Sequence, residues 1–267
     1  MTPLEFLRSI GVIVALMAIA ALLETVVPLF GRGAARRGRQ RANLGLTVLT
    51  FAGNWALASA AALVPLATGG HGLVQLGLAP PLQILASVAL LDFCTYLAHR
   101  SMHVTPELWR VHRVHHSDPF VDVSTTYRQH PIEGLWRFLW ITGPAAALGL
   151  PASGVIAYRL VSAVNALAEH ANVPLWRPLD TLLSLVWVTP NMHKVHHSRA
   201  CAETDTNYGN ILAVYDRLLE TFTPSARAYG VRYGLDDVDA PEATSFGSLL
   251  AMPLRGLGEQ LARHPYP

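Results

Sequence analysis

The stretch His99–His116, HRSMHVTPELWRVHRVHH, holds five histidines in eighteen residues, and its second half returns in near copy as NMHKVHH at Asn191–His197. On a helix, His99 and His103 stand at i and i+4, while His112, His115 and His116 form an i, i+3, i+4 trio on one face. His193, His196 and His197 repeat that trio. Eight imidazoles on three short helical faces point to metal binding. Tetrahedral zinc is satisfied by about four ligands, or three plus water at a catalytic centre, so this supply exceeds one ion. Two ions close together, each with several histidines and an open position, fit the count. Imidazole as sole donor suits iron, zinc or copper rather than magnesium or calcium.

The chain that must position these rings is apolar: 51% of its 267 residues are hydrophobic and 14% charged, against roughly 25% charged in soluble domains. It reads as a membrane protein. The formal net charge is +2, and 19 of the 20 basic residues are Arg, Lys194 being the exception. No basic patch interleaved with aromatics marks a nucleic-acid partner. Cys94 and Cys201 are far apart and outside any C-x-x-C pattern, so metal binding rests on nitrogen and oxygen.

Ser9–Phe30, interrupted only by Glu24, reaches about 33 Å as a helix, enough for a hydrocarbon core of ~30 Å. A signal peptide fits less well, because the apolar run is long and no A-x-A cleavage signal follows. Arg32, Arg36, Arg37, Arg39 and Arg41 then fall in an expected short loop, which the positive-inside rule places in the cytoplasm. Lipid headgroup contact and topology suffice to explain them. Leu44–Leu66 is the second span, and Thr68–Pro81, with the isolated His71, is an outward loop. Leu82–Ala98 is the third span and delivers His99 at its inner end.

Trp136–Ala171 is apolar but broken at Gly143-Pro144 and Gly149–Pro151. It reads as a helical hairpin that dips into the bilayer and brings His170 back beside the other histidines; two full spans require the first arm to extend back through Glu133. From Asn191 the chain turns polar and ends in a surface tail containing Asp236, Asp237 and the unpartnered His264. The expected architecture is all-α: an integral membrane helical protein with about four membrane helices, the last pair a hairpin, and a cytoplasmic helical cap carrying a histidine-rich dimetal site. As one membrane domain it divides into N-terminal transmembrane helices and loops (9–80), a histidine-box region (82–222) and a C-terminal polar tail (223–267).

Asp92 shares a helical stripe with Tyr96, His99 and His103. A carboxylate at membrane depth is costly and reads as functional, here as an acceptor for a ligating imidazole N–H, set against a structural capping or packing role.

The ordered set H-x3-H (His99, His103), H-x-x-H-H (His112, His115, His116), His170 and H-x-x-H-H (His193, His196, His197) resembles the fatty acid hydroxylase superfamily, also called the sterol desaturase family. The likeness runs from about Leu85 to Phe222, through DFCTYLAHRSMH, RQHPIE, HANVPLW, TPNMHKVHHS and TDTNYGNILAVYDRLLETF. HANV, T-P-x-x-H and D-x-N-Y-G look closer to the bacterial branch and to alkylglycerol monooxygenase than to sterol C-4 methyl oxidase. Relatives often end in W-D-R-L-F-G-T, where this chain has YDRLLET with Leu219-Glu220 in place of the glycine turn.

The resemblance implies a membrane-embedded non-haem di-iron centre that uses O2 to hydroxylate or desaturate a lipid C–H bond (fatty acyl, sterol or isoprenoid). Its ligands would be His99, His103, His112, His115, His116, His170, His193, His196 and His197. Zinc can occupy such a site in purified protein. His130 stands apart, before Pro131, as a ligand, a residue supporting a ligand, or a structural residue. Asn172 either hydrogen-bonds a ligand or caps a helix. Asp205, Asn207 and Tyr208 either orient the second trio or form a turn. Asp216 and Arg217 read as an ion pair.

Reducing O2 takes external electrons, and no dinucleotide fingerprint, P-loop, haem or Fe–S motif is present. A separate ferredoxin, cytochrome or flavoprotein reductase is therefore implied. Two other classes compete. A membrane zinc hydrolase would usually add carboxylate ligands or H-E-x-x-H, and a metal-binding or transport protein would string its ligands across the bilayer. The expected location is the bacterial inner membrane, with the metal site on the cytoplasmic side.

Overall fold

The structure is a computed structural model that describes residues 3–31, 36–61 and 77–255. His71, His264 and most of the loop expected from Thr68 lie outside them. Among the described residues the fold is helical, and the extended pairing is a single antiparallel bridge between Trp187 and Leu212. Five long helices carry the chain: α1 (Pro3–Val26), α2 (Arg36–Ala61), α3 (Pro80–Val104), α5 (Pro131–Ala147) and α6 (Ala152–His170). The short α4 (Pro106–His116) follows α3 across Thr105, and Pro106 opens it where its missing N–H costs nothing. Beyond α6 come α7 (Arg177–Leu183), α8 (Pro190–His196), α9 (Cys201–Thr204), α10 (Val214–Leu218), α11 (Ala240–Ala243) and α12 (Phe246–Ala251).

Helix α3 is central, with α5 and α6 each packed along it; α1 flanks α6 and α2 flanks α5. Leu91, Tyr158 and Ile211 form the buried junction of α3 and α6 with the segment before α10. Each such apolar side chain contributes about 1.5–3 kcal/mol by leaving water. The α3–α6 contact is close enough that a Cβ on Gly154 would sit 2.5 Å from Ser87 Cβ, so only glycine fits there.

By length and composition, Pro80–Val104 is the described helix long and apolar enough to cross a membrane, and Ile10–Val26 is a shorter apolar helix. Four expectations need correction. The arginine-rich stretch is not a loop from Arg36 onward, because α2 begins there. Arg39 does more than touch headgroups: it is buried and pairs with Asp118 at 3.1 Å and with Asp122. Nor does Gly143-Pro144 break the hairpin's first arm. Helix α5 continues through Pro144, and the chain turns at Leu148–Pro151, where Gly149 takes a left-handed φ of 56°.

The segment after Phe222 is no free surface tail. Leu249 and Met252 are buried against Ala42, Leu46 and Val114 of α2 and α4. Asp237 pairs with Arg113, and the buried Arg128 guanidinium donates to Ala243 O, Asn43 Oδ1 and Ser117 Oγ. These bonds fasten α2, α4 and the C-terminal helices into one base beneath the histidines.

Candidate metal centre

The C-terminal end of α3 brings in His99 and His103, α4 brings His112, His115 and His116, α6 ends on His170, and α8 with the residue after it supplies His193, His196 and His197. Their nitrogens gather into two groups. One nitrogen from each of His99, His103, His112, His116 and His196 lies within 4.8 Å of the others, and so does one from each of His115, His170, His193 and His197. The groups are neighbours: the His116 and His197 rings stack across the boundary at 4.7 Å between centroids. All nine rings are buried, none more than 4% exposed.

The outer nitrogens fix how the rings are protonated. His99 Nδ1 donates to Tyr208 O at 2.9 Å, His196 Nδ1 to Thr206 O at 2.7 Å and His170 Nδ1 to Ala166 O at 2.8 Å. A carbonyl only accepts, so each neutral ring carries its proton on Nδ1 and turns a lone pair inward at Nε2. His103 Nδ1 lies 3.1 Å from Asp205 Oδ1. His112 Nδ1 lies 3.1 Å from Glu133 Oε2, with the N–H off line, and His193 Nδ1 stands 3.5 Å from Glu169 Oε2.

Nevertheless His99 Nε2 and His112 Nε2 are 3.1 Å apart, as are His170 Nε2 and His193 Nε2. Two lone pairs facing each other at that distance repel unless a cation lies between them. His196 Nε2 is buried with no hydrogen-bond partner. Burial, followed by neighbouring imidazoles, holds His115, His116, His193 and His197 well below the ordinary histidine pKa. The rings are therefore neutral and able to bind metal. The donor set fits a pair of nitrogen-ligated metal ions.

The expected supporting residues divide. Asp205 stands against His103 of the first pair and not against the second trio it was expected to orient. Asp92 does not face an imidazole: its carboxylate accepts the backbone N–H groups of Ile211 (3.0 Å) and Leu212 (2.8 Å). It thus anchors the segment that follows Tyr208, the residue whose carbonyl holds His99. Asn172 touches no ligand either; its side chain accepts from Phe30 N and donates to Phe30 O, tying the end of α1 to the turn after His170.

Asn207 sits at φ 57° and donates to Met192 O and Thr223 O, bracing α8 from its backbone. His130 lies outside both groups. It caps α5, Nδ1 accepting from Ile132 N, and its Nε2 is 3.3 Å from Leu250 O. Asp216 and Arg217 do not pair with each other. Asp216 is buried and accepts from Tyr208 N, Gly209 N and Thr221 Oγ1, while Arg217 donates to Ser184 O and lies over the Phe222 ring.

Sequence reasoning missed Glu133 and Glu169, each a buried carboxylate beside a ring of a different group. A signal existed, since both lie in the apolar hairpin, where an acid is as costly as at Asp92.

Buried imidazoles gathered into two metal-sized groups on a helical frame define this chain as a candidate histidine-box dimetal protein. The sequence profile of the fatty acid hydroxylase family matches residues 84–221, just over half of the 267, and the chain belongs to that family. It is 33% identical over 186 residues to ornithine lipid hydroxylase OlsE of Rhizobium tropici, covering 68% of this chain and 54% of that protein. It is 32% identical over 146 residues to alkylglycerol monooxygenase of Caenorhabditis elegans (54% of this chain, 28% of that protein), and 31% over 146 residues to the human one (54% and 31%). The chain spans about half or less of the length of these relatives. No solved structure matches it.

Proposed function

We propose that this protein is a membrane-bound non-haem di-iron oxygenase that hydroxylates or desaturates a C–H bond of a lipid, using O2 and electrons from a separate ferredoxin, cytochrome or flavoprotein reductase. The observation that carries this reading is the gathering of nine buried rings into groups of five and four. In it His99, His103, His112, His116 and His196 hold one ion, and His115, His170, His193 and His197 hold the other. Iron bound there supplies the power to activate O2 and attack an unactivated C–H bond.

The chain's own residues prepare that chemistry. The carbonyls of Tyr208, Thr206 and Ala166 aim three rings and keep their Nε2 unprotonated, while Asp205, Glu133 and Glu169 each set a carboxylate beside a further ring. Trp109 and Tyr208 pack on His103 at 5.1 Å between centroids and keep water from the five-histidine group.

In the proposed topology α1, α2 and α3 cross the bilayer, α5 and α6 form the dipping hairpin, and α4 with the segments beyond α6 forms the cap. Three contacts support placing the helix ends together on one side. Glu24 near the end of α1 accepts from Asn172 N, Arg39 near the start of α2 pairs with Asp118, and α3 ends on the histidines. The arginines around the start of α2 make that side cytoplasmic, in a bacterial inner membrane. The chain then acts as one membrane domain, with 82–222 carrying the chemistry.

The reading is tested by metal analysis of protein made in iron-replete cells, together with O2 uptake in the presence of added lipid and reductant. Iron near two per chain and uptake that needs both additions are expected. Zinc alone with no uptake overturns it. Comparison of lipids from deletion and overproducing strains, searched for a gain of one oxygen or a loss of two hydrogens, finds the substrate.

A further inference from the structure

Arg137 stands one helical turn beyond Glu133 on α5, in the arm read here as entering the bilayer. Its Nε donates to Glu133 Oε1 at 2.9 Å, and the other oxygen of that carboxylate lies 3.1 Å from His112 Nδ1. Two short links thus join the guanidinium to a ring of the five-histidine group.

A guanidinium has five N–H donors, and in apolar surroundings each one left unmet is costly. Two buried arginines, Arg128 and Arg39, engage both of their terminal nitrogens. Arg128 makes four hydrogen bonds through three nitrogens, and Arg39 spreads its two terminal nitrogens over Asp118, Asp122 and Ser124. Arg137 makes the single bond from Nε, neither terminal nitrogen has a protein partner among the described residues, and the side chain is 22% exposed. The planar fork it offers matches two oxygens of a carboxylate or phosphate.

We propose that the terminal nitrogens of Arg137 bind the anionic group of the lipid substrate, a carboxylate or phosphate, beside the metal centre. This rests on the oxygenase reading for the meaning of the ligand, though not for its binding. Because the guanidinium is joined through Glu133 to His112, the oxyanion it holds lies next to the centre. The C–H bond presented for reaction is then close to the lipid's charged end and far from its terminal methyl group. A lipid without an anionic group leaves the donors unmet and binds less well.

The test uses the full chain, metal-loaded, in phosphatidylcholine nanodiscs titrated with 9,10-dibromostearate and with its methyl ester. Binding is read as quenching of tryptophan fluorescence, since Trp136 and Trp140 pack together beside Arg137 on α5. The acid-to-ester affinity ratio of wild type should exceed that of Arg137→Gln at least tenfold, with Arg137→Lys between them and metal content equal in all three. Equal ratios in wild type and Arg137→Gln overturn the proposal. Should Arg137→Gln lose its metal, the comparison of wild type with Arg137→Lys decides, and equal ratios there overturn it as well.

Repeating the titration in phosphatidylglycerol discs separates the two sources of oxyanion. A preference that persists supports a substrate group held against competition, and one that vanishes assigns the fork to bulk headgroups and overturns the proposal. A protein that keeps the preference but takes up no O2 would refute the oxygenase reading and leave Arg137 as the anion-binding residue.

Discussion

Glu133 of α5 and His112 of α4 meet at the buried edge of the five-histidine group, Oε2 to Nδ1 at 3.1 Å, and Glu169 of α6 stands in the same relation to His193 of the four-histidine group at 3.5 Å. The two arms of one hairpin thus each send a carboxylate to a different group. Glu133→Gln should weaken the first ion and Glu169→Gln the second, each by about 10–100-fold. Metal content during a chelator titration checks this: each variant should release one ion early and keep the other.

Ligand histidines and His130 should part company. Replacing His103 or His193 by Ala is expected to drop metal content and abolish turnover. His130→Ala removes only the cap of α5 and its contact with the C-terminal helices, and should keep full metal while losing about 0.5–2 kcal/mol of stability. Metal analysis beside thermal unfolding distinguishes the two outcomes.

Asp92→Ala leaves the N–H groups of Ile211 and Leu212 without their acceptor. The cost is about 1–3 kcal/mol for each buried donor stranded, and the hold of Tyr208 on His99 should loosen with it. Unfolding temperature and metal affinity are expected to fall together, whereas a residue that only oriented a ring would leave the metal-free protein's unfolding temperature unchanged.

Glu220 occupies a left-handed conformation, φ 59°, in the position where relatives often carry glycine. A side chain there costs about 1–2 kcal/mol, partly offset by the greater freedom glycine has when unfolded. Glu220→Gly should therefore stabilise the protein by up to about 1 kcal/mol without altering metal content, as read from denaturation curves.

Removal of the metal exposes a pH dependence. The folded pKa values of His115, His116, His193 and His197 are depressed, so the unfolded chain takes up protons first as the pH falls. Stability of the metal-free protein is then greatest above about 6.5 and falls below it, by roughly 1.4 kcal/mol per pH unit for each ring involved. Melting of chelator-treated protein at pH 8 and pH 5.5 should show the drop, and the metal-loaded form should resist it until its ligands protonate.

Eight of the nine ring positions were legible because helical periodicity is local: i, i+3 and i+4 place histidines on one face before any tertiary contact exists. Two helices with His170 at the end of the second were legible too, from an apolar run interrupted at Gly149–Pro151. What Asp92 does was not, since its partners lie 119 and 120 residues away and no local pattern records them. Arg39 was hidden likewise, because a buried pair with Asp118 across 79 residues looks in sequence like one more arginine of a basic stretch. His130 was ambiguous because a histidine before proline serves a helix start as well as a metal.

The carbonyl that orients His99 belongs to Tyr208, whose own N–H is held by Asp216. A ring near the middle of the polypeptide therefore takes its working pose only after residues more than a hundred positions later have been synthesised and docked. The proposed centre would therefore be completed only after translation, and its ions could not be captured stepwise as the nascent chain emerges from the ribosome.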